Sequence, residues 1–231
     1  MFKTVFHDLM QLCFPARCLA CDKALRYREV PLCTQCLATL PWSWPDNLIY
    51  DPFAEKFWGE VPIQHTKALF KFDKQDIVQN IIHNIKYKNH QKSLRQLGQY
   101  YGQICQRNPF PTTPNLLIPV PLHPKRLVQR GYNQSLLLAQ GMAITLKIPC
   151  NPQVLLRRKN TTTQTTKNKK ERIENMQNAF KVNRPTQIQN QHLLLIDDLV
   201  TTGATLKSCA HALLNAGARE ISIAVLAINT M

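Results

Sequence analysis

Acidic side chains are scarce in this chain. Its 231 residues carry 14 Asp and Glu against 29 Lys and Arg, a formal net charge of +15 with a pI near 9.7. That shortage biases the protein toward polyanions, whether a phosphorylated ligand or a nucleic acid, and charge by itself does not choose between them. Long apolar runs are also missing. The chain is 44% hydrophobic, yet no run reaches the length that spans a bilayer, so no membrane span is expected. The first twelve residues lack an uninterrupted apolar stretch, because His7 and Asp8 break it, and they lack a small-residue cleavage site. They make a poor secretory signal, and a cytoplasmic protein is expected. Phe2, Val5, Phe6, Leu9 and Met10 fall instead on one helical face. The length suits one α/β domain with a small appendage.

What is present is concentrated in one stretch. Leu193, Leu194, Leu195 and Ile196 are followed at once by Asp197 and Asp198, then by Leu199, Val200, Thr201, Thr202, Gly203, Ala204 and Thr205. Four aliphatics ending in two acids predict a buried strand whose carboxyl end reaches the surface, where open α/β sheets bind ligands. An apolar-periodic segment, Ala204 to Ala216, predicts a helix that Gly217 stops. Free N–H groups at that helix start attract a phosphate, and Gly203 lets the backbone approach it without a Cβ in the way. Ionised Asp197 and Asp198 only accept hydrogen bonds, so they suit two neighbouring sugar hydroxyls or a hydrated divalent cation.

Cys18-x-x-Cys21 and Cys33-x-x-Cys36 have zinc-ribbon spacing, with eleven residues between the pairs. Two such turns on a return hairpin complete a tetrahedral shell with no open position, which is a structural site. The competing readings are disulfides, which the cytoplasm disfavours, and a thioredoxin-like pair, which needs one motif and a βαβ frame. Cys13 is a fifth thiol nearby, while Cys105, Cys150 and Cys209 are expected to pack in the core. After the cysteines, Trp42, Trp44, Phe53, Phe57 and Trp58 lie in a Pro-rich connector without clear period. They fit an inter-domain core better than a base-stacking surface. The expected division is a zinc ribbon with a leading amphipathic helix over 1–45, a connector over 46–64 and the main domain over 65–231.

In the main domain, His65 to Phe72 suggests a strand. Ile77, Ile81, Ile82 and Ile85, then Leu94, Leu97, Tyr101 and Ile104, suggest two packing helices. Leu116 to Pro121 reads as a short strand, followed by a basic loop from Leu122 to Gln134 and a helix from Ser135 to Leu146. Arg130 and Gly131 in that loop can engage phosphate by side-chain fork and by backbone approach, and Asn133 is a natural N-cap. Arg157, Arg158, Lys159, Lys167, Lys169, Lys170 and Arg172 then form a basic run with Glu171 as its only acid. Thr161 to Thr166 within it has neither apolar period nor bulk and predicts a loop that is mobile when empty.

The acid-acid-x-x-Thr-Thr-Gly-x-Thr run resembles the phosphoribosyl-pyrophosphate (PRPP) signature of type I phosphoribosyltransferases. With Arg130 to Gln134, Gln164-Thr165, Arg172-x-x-Asn175, Ala179-Phe180 and the double Cys-x-x-Cys, the whole chain resembles the competence protein F family. The resemblance implies a mainly parallel, Rossmann-like sheet flanked by helices, with a small zinc-ribbon domain ahead of it. It implies PRPP bound with Mg²⁺: the 5-phosphate on Thr201, Thr202, Gly203, Ala204 and Thr205, the ribose diol on Asp197 and Asp198, the pyrophosphate near Arg130 and Gly131. A flexible loop carrying Gln164, Thr165 and Arg172 would close over it. Asp197, Asp198 and Arg130 would then serve any transfer, by positioning and electrostatics rather than covalent chemistry. A glutaminase step is not expected, because the chain begins Met1-Phe2 rather than with a nucleophilic cysteine. The implied process is natural transformation. A binding module for single-stranded DNA, or an adaptor for a helicase or another DNA-uptake protein, remains the alternative, with structural Zn²⁺ in either case.

Overall fold

The computed structural model describes residues 16–26, 29–43, 51–73, 76–157 and 179–229. The leading amphipathic stretch, Cys13, Trp44 and the loop residues Gln164, Thr165 and Arg172 lie outside the described residues. In chain order the elements are α1 (Thr34–Thr39), α2 (Pro52–Glu55), β1 (Thr66–Phe72), α3 (Ile77–Tyr87), α4 (Gln91–Arg107) and β2 (Leu116–Pro119). They continue with α5 (Pro124–Arg130), α6 (Gln134–Leu146), β3 (Leu155–Arg157), β4 (Phe180–Val182), β5 (His192–Val200), α7 (Ala204–Asn215) and β6 (Glu220–Asn229).

Four strands form one sheet in the order β1-β6-β5-β2, with every pairing parallel. Leu195 pairs with Ile118 on one side and Ile223 on the other. Parallel pairing requires helical crossovers, so both sheet faces are covered and the central strands are continuously apolar. β6 is buried from Ile221 to Ile228, a strand that no local pattern in the sequence marks. Its run, apolar but for Ser222, carries no period to separate strand from buried helix. The antiparallel β3–β4 ribbon was likewise unanticipated.

Leu194 and Ile196 of β5 pack with α3, α4, α6 and the cysteine segment, whereas Leu193 and Leu195 pack with α7, Phe53 and Phe57. Alternation along one strand therefore defines two core layers. α4 and α6 approach so closely that a Cβ on Gly98 or Gly141 would clash with the backbone carbonyl of Leu138 or Arg95. This approach seats the first turn of α6 against the sheet. The aromatic connector is largely core: Phe53 and Phe57 are buried, and Trp42 packs on Phe70 and Tyr100. Trp58 departs from that expectation and is 64% exposed. Cys105 and Cys209 are buried and Cys150 half-buried.

One local expectation is corrected. The basic segment before α6 is not an open loop, because Pro124 to Arg130 forms the two-turn helix α5. His123 caps it by accepting from the Lys125 N–H, Pro124 enters its first turn, and Gly131 ends it in the left-handed region at φ 76°. These are the standard signals for helix entry and exit, compressed into nine residues.

Candidate functional site

Because the strands are parallel, all four end at one sheet edge, and the β2–β5 pairing sets their following loops side by side. After β5, Gly203 adopts φ 78° as the N-cap of α7 and supplies no side-chain cap. The first-turn amides therefore lack intrahelical acceptors. Ala204 N–H has only a long 3.5 Å contact to the Thr202 hydroxyl. Thr201, Thr202 and Thr205 are exposed, and Asp197 with residues 199–206 lines a cavity of about 60 Å³. That is ample for more than one water. Behind the loop, Phe57 lies 3.5 Å from where a Cβ on Gly203 would stand, and Lys207 pairs with Glu60 at 2.6 Å. Gly203 is thus required by its backbone conformation, not by crowding.

The two acids have different surroundings. Asp197 Oδ1 accepts the Ser135 hydroxyl at 2.8 Å and the Asp198 N–H at 2.9 Å. Burial, then the neighbouring charge of Asp198, pushes the Asp197 carboxyl up to about 7, against the opposing pull of Ser135. Asp198 Oδ1 accepts the Leu199 N–H at 3.0 Å, while Oδ2 stands 3.4 Å from the Lys86 ammonium of α3. Ser135 and Lys86 were not among the residues singled out from the sequence. A serine two places after an N-cap Asn reads as part of the cap, and a lysine at a helix end satisfies the dipole.

On the β2 side, Asn133 caps α6 by accepting the Ser135 N–H at 3.1 Å and donates its amide to Val120 O at 3.0 Å. The N-cap expectation for Asn133 is met. Arg130 donates to Gln134 Oε1 at 3.0 Å, and its guanidinium stands 5.9 Å from the Tyr87 ring centroid. The Tyr132 hydroxyl donates to Ile85 O. Gly131 is exposed with open space around it.

The four cysteines converge as their spacing predicts. The sulfurs of Cys18, Cys21, Cys33 and Cys36 all lie within 4.8 Å of one another, with Cys21 and Cys33 sulfurs 3.8 Å apart. Tetrahedral zinc with Zn–S near 2.3 Å demands sulfur separations of about 3.8 Å, so the donor set fits. The Cys33 N–H points at Cys18 Sγ at 3.4 Å, a donor that stabilises thiolate. Burial first, then neighbouring thiols, raises the Cys36 thiol above its usual range in the absence of a cation. A bound dication reverses that logic. No helix among the described residues is long and apolar enough to cross a membrane.

The model of the phosphoribosyl transferase domain matches residues 133–230, from the cap of α6 to the end of β6. The fold is accordingly that of the type I phosphoribosyltransferases. Competence protein F of Haemophilus influenzae is 30% identical over 207 residues, covering 89% of this chain and 82% of its own length. The chain belongs to the competence protein F family. DNA utilization protein YhgH of Salmonella typhimurium is 29% identical over 209 residues, covering 89% of this chain and 87% of that protein. Competence protein ComFC of Bacillus subtilis is 34% identical over 108 residues, covering 47% of this chain and 42% of its own.

Proposed function

We propose that this protein binds PRPP with Mg²⁺ at the shared tip of β5 and β2 and acts in the uptake and use of DNA. The observation that carries the reading is that Asp197 and an uncapped helix start line one small cavity, with Asp198 next to Asp197 at the end of the same strand. The 5-phosphate would lie on the amides of residues 201–205, where helix dipole and free N–H groups favour an anion. Asp197 and Asp198 would accept the ribose hydroxyls, and the pyrophosphate with Mg²⁺ would lie toward Arg130 and Gly131. Mg²⁺ supplies charge neutralisation of the pyrophosphate when bound. Should transfer occur, pyrophosphate departs from C1 and leaves an oxocarbenium-like sugar; this chain's contribution is positioning and electrostatic stabilisation. Names of the relatives support the DNA process, and the absence of a spanning helix among described residues is compatible with a cytoplasmic site of action.

Cys18, Cys21, Cys33 and Cys36 would hold one structural Zn²⁺, in a ribbon appended to the phosphoribosyltransferase-like domain. Metal analysis should find one zinc per chain. Chelator treatment should lower the melting temperature markedly, since metal binding free energy is folding free energy in such sites.

Titration calorimetry with PRPP, with and without Mg²⁺, tests the sugar-phosphate reading. Binding that requires Mg²⁺ and disappears in Asp198→Asn supports it, and no binding by the intact protein overturns it. The second reading, a module for single-stranded DNA or an adaptor for a helicase, draws on the +15 charge. Its signature is affinity for single-stranded DNA that falls steeply with salt and is indifferent to Asp198→Asn.

A further inference from the structure

Two charged groups, Asp198 and Lys86, meet at the β5 tip from elements far apart in sequence, and a third, Arg130, lies over the ring of Tyr87 beside Lys86 in the chain. Asp198 extends from β5, Arg130 from the end of α5, and Lys86 from the last turn of α3. A cation at a helix end is ordinarily explained by the dipole alone. Lys86 has more to explain than that. Its ammonium is directed at Asp198 Oδ2, with both side chains less than one-fifth exposed. Oδ2 nevertheless has no hydrogen-bond partner. The pair is close in charge but unformed in hydrogen-bond geometry, which is a contact easily exchanged for a better one.

The turn that carries Lys86 is held on both sides. Asn84 donates to Leu19 O at 2.9 Å, and Lys88 pairs with Asp22 at 3.2 Å, so the cysteine segment grips it from behind. From the front, the Tyr132 hydroxyl bonds Ile85 O, and Tyr87 lies under the Arg130 guanidinium. Residues 84 and 88 are thus anchored on the cysteine segment, and residues 85 to 87 between them contact the phosphoribosyl side. The tip holds two carboxylates. A polyanionic ligand entering beside them needs more than Arg130 to balance charge, and Lys86 is the cation already in place.

We propose that Lys86 is a ligand-binding residue for the pyrophosphate end of the sugar ligand: it neutralises Asp198 in the empty site and passes to the phosphate oxygens when the ribose hydroxyls engage Asp198. The inference rests on the PRPP reading above. The cysteine segment is then more than a stabilising staple, because it mounts the turn that presents this cation.

The test compares PRPP with ribose 5-phosphate, which shares the 5-phosphate and diol but lacks pyrophosphate. Calorimetry on the zinc-loaded chain should show Lys86→Met, and Lys86→Gln as a second variant, weakening PRPP at least tenfold while leaving ribose 5-phosphate within about twofold. Circular dichroism and melting temperature report whether each variant is folded. In the unmodified protein, the Lys86 side-chain ammonium resonance should shift with PRPP and with inorganic pyrophosphate, and stay put with ribose 5-phosphate. Equal losses for both sugars, or none, together with an unmoved resonance, would assign Lys86 to a structural ion pair and overturn the proposal. Failure of the unmodified protein to bind either sugar would instead remove the PRPP reading itself, and this inference with it.

Discussion

Two strand-to-helix connections lie side by side at the same sheet edge, and they are built on opposite principles. From β5 to α7 the chain takes three residues, and the helix start is left uncapped. From β2 to α6 it takes fourteen, forms α5 on the way, and caps α6 with Asn133. The short connection exposes amides and follows a strand end that carries acids. The long one satisfies its amides and carries bases. An anion site needs unsatisfied donors, whereas a long insertion must be tied down to keep its cations in place, here by Asn133 to Val120 O and Tyr132 to Ile85 O. The comparison predicts that substitutions at the short connection damage binding far more than those in the long one, whose main cost is to stability.

The largest contrast is expected at Asp197. Asp197→Asn keeps an acceptor for Ser135 and Asp198 N–H but cannot ionise, so PRPP binding should fall below detection by calorimetry. Stability should move the other way. The carboxyl is raised to about 7 in the folded chain, against about 3.9 when unfolded. Between those values the folded state holds a proton that the unfolded state has lost, so stability falls as pH rises through that window and is level above it. The Asn variant should therefore melt several degrees above the parent at pH 8 and match it near pH 4. A variant less stable than the parent at pH 8 would refute the weakened acidity of Asp197. The same shift predicts that ligand binding near pH 6.5 releases protons, measurable by calorimetry in buffers of different ionisation enthalpy.

Next in size is Gly203→Ala. The added Cβ meets only ordinary contact with Phe57 at 3.5 Å, so the folding cost is that of a left-handed non-glycine residue, about 1–2 kcal/mol. Phosphate affinity should drop tenfold or more, since relief of the disfavoured left-handed φ at residue 203 turns the loop amides away from the anion. In the long connection, Asn133→Ala removes the α6 cap and the tether to Val120. A loss of about 1 kcal/mol is expected, lowering the melting temperature by roughly 2–4 °C, with PRPP affinity reduced only a fewfold. The smallest effect on binding is expected at Gly131→Ala, where open space surrounds the added Cβ and the left-handed φ alone resists, at the same folding cost as for Gly203. Should Asn133→Ala abolish binding while leaving stability intact, the division between an exposed cradle and a braced insertion would not hold.

Much of the β5 unit was legible beforehand because each feature is local. The aliphatic run, the acids and Gly203 lie within about a dozen consecutive residues, and each obeys a rule of strand, turn or cap. The α5 helix was missed although His123, Pro124 and Gly131 mark both its ends, because seven residues are too few to show a period. β6 is hard to read for the opposite reason, since Ser222 is the one polar residue within its buried run and a single residue makes no pattern. The cysteines were readable from spacing alone, since two Cys-x-x-Cys turns leave few ways to satisfy four thiols.

What the amino-acid sequence determined by itself is the chemistry available: a carboxylate pair, an uncapped helix start, a basic insertion and four thiols, each encoded by neighbours along the chain. Only the tertiary structure decided which of these work together. The parallel β2–β5 pairing sets two loops at one edge, α6 brings Ser135 to Asp197, and the cysteine segment holds α3 so that Lys86 faces Asp198. Ser135 and Lys86 are 62 and 112 residues from their partners, and no local propensity reports across such distances, because side-chain pairing at a strand tip is set by how helices pack against the sheet.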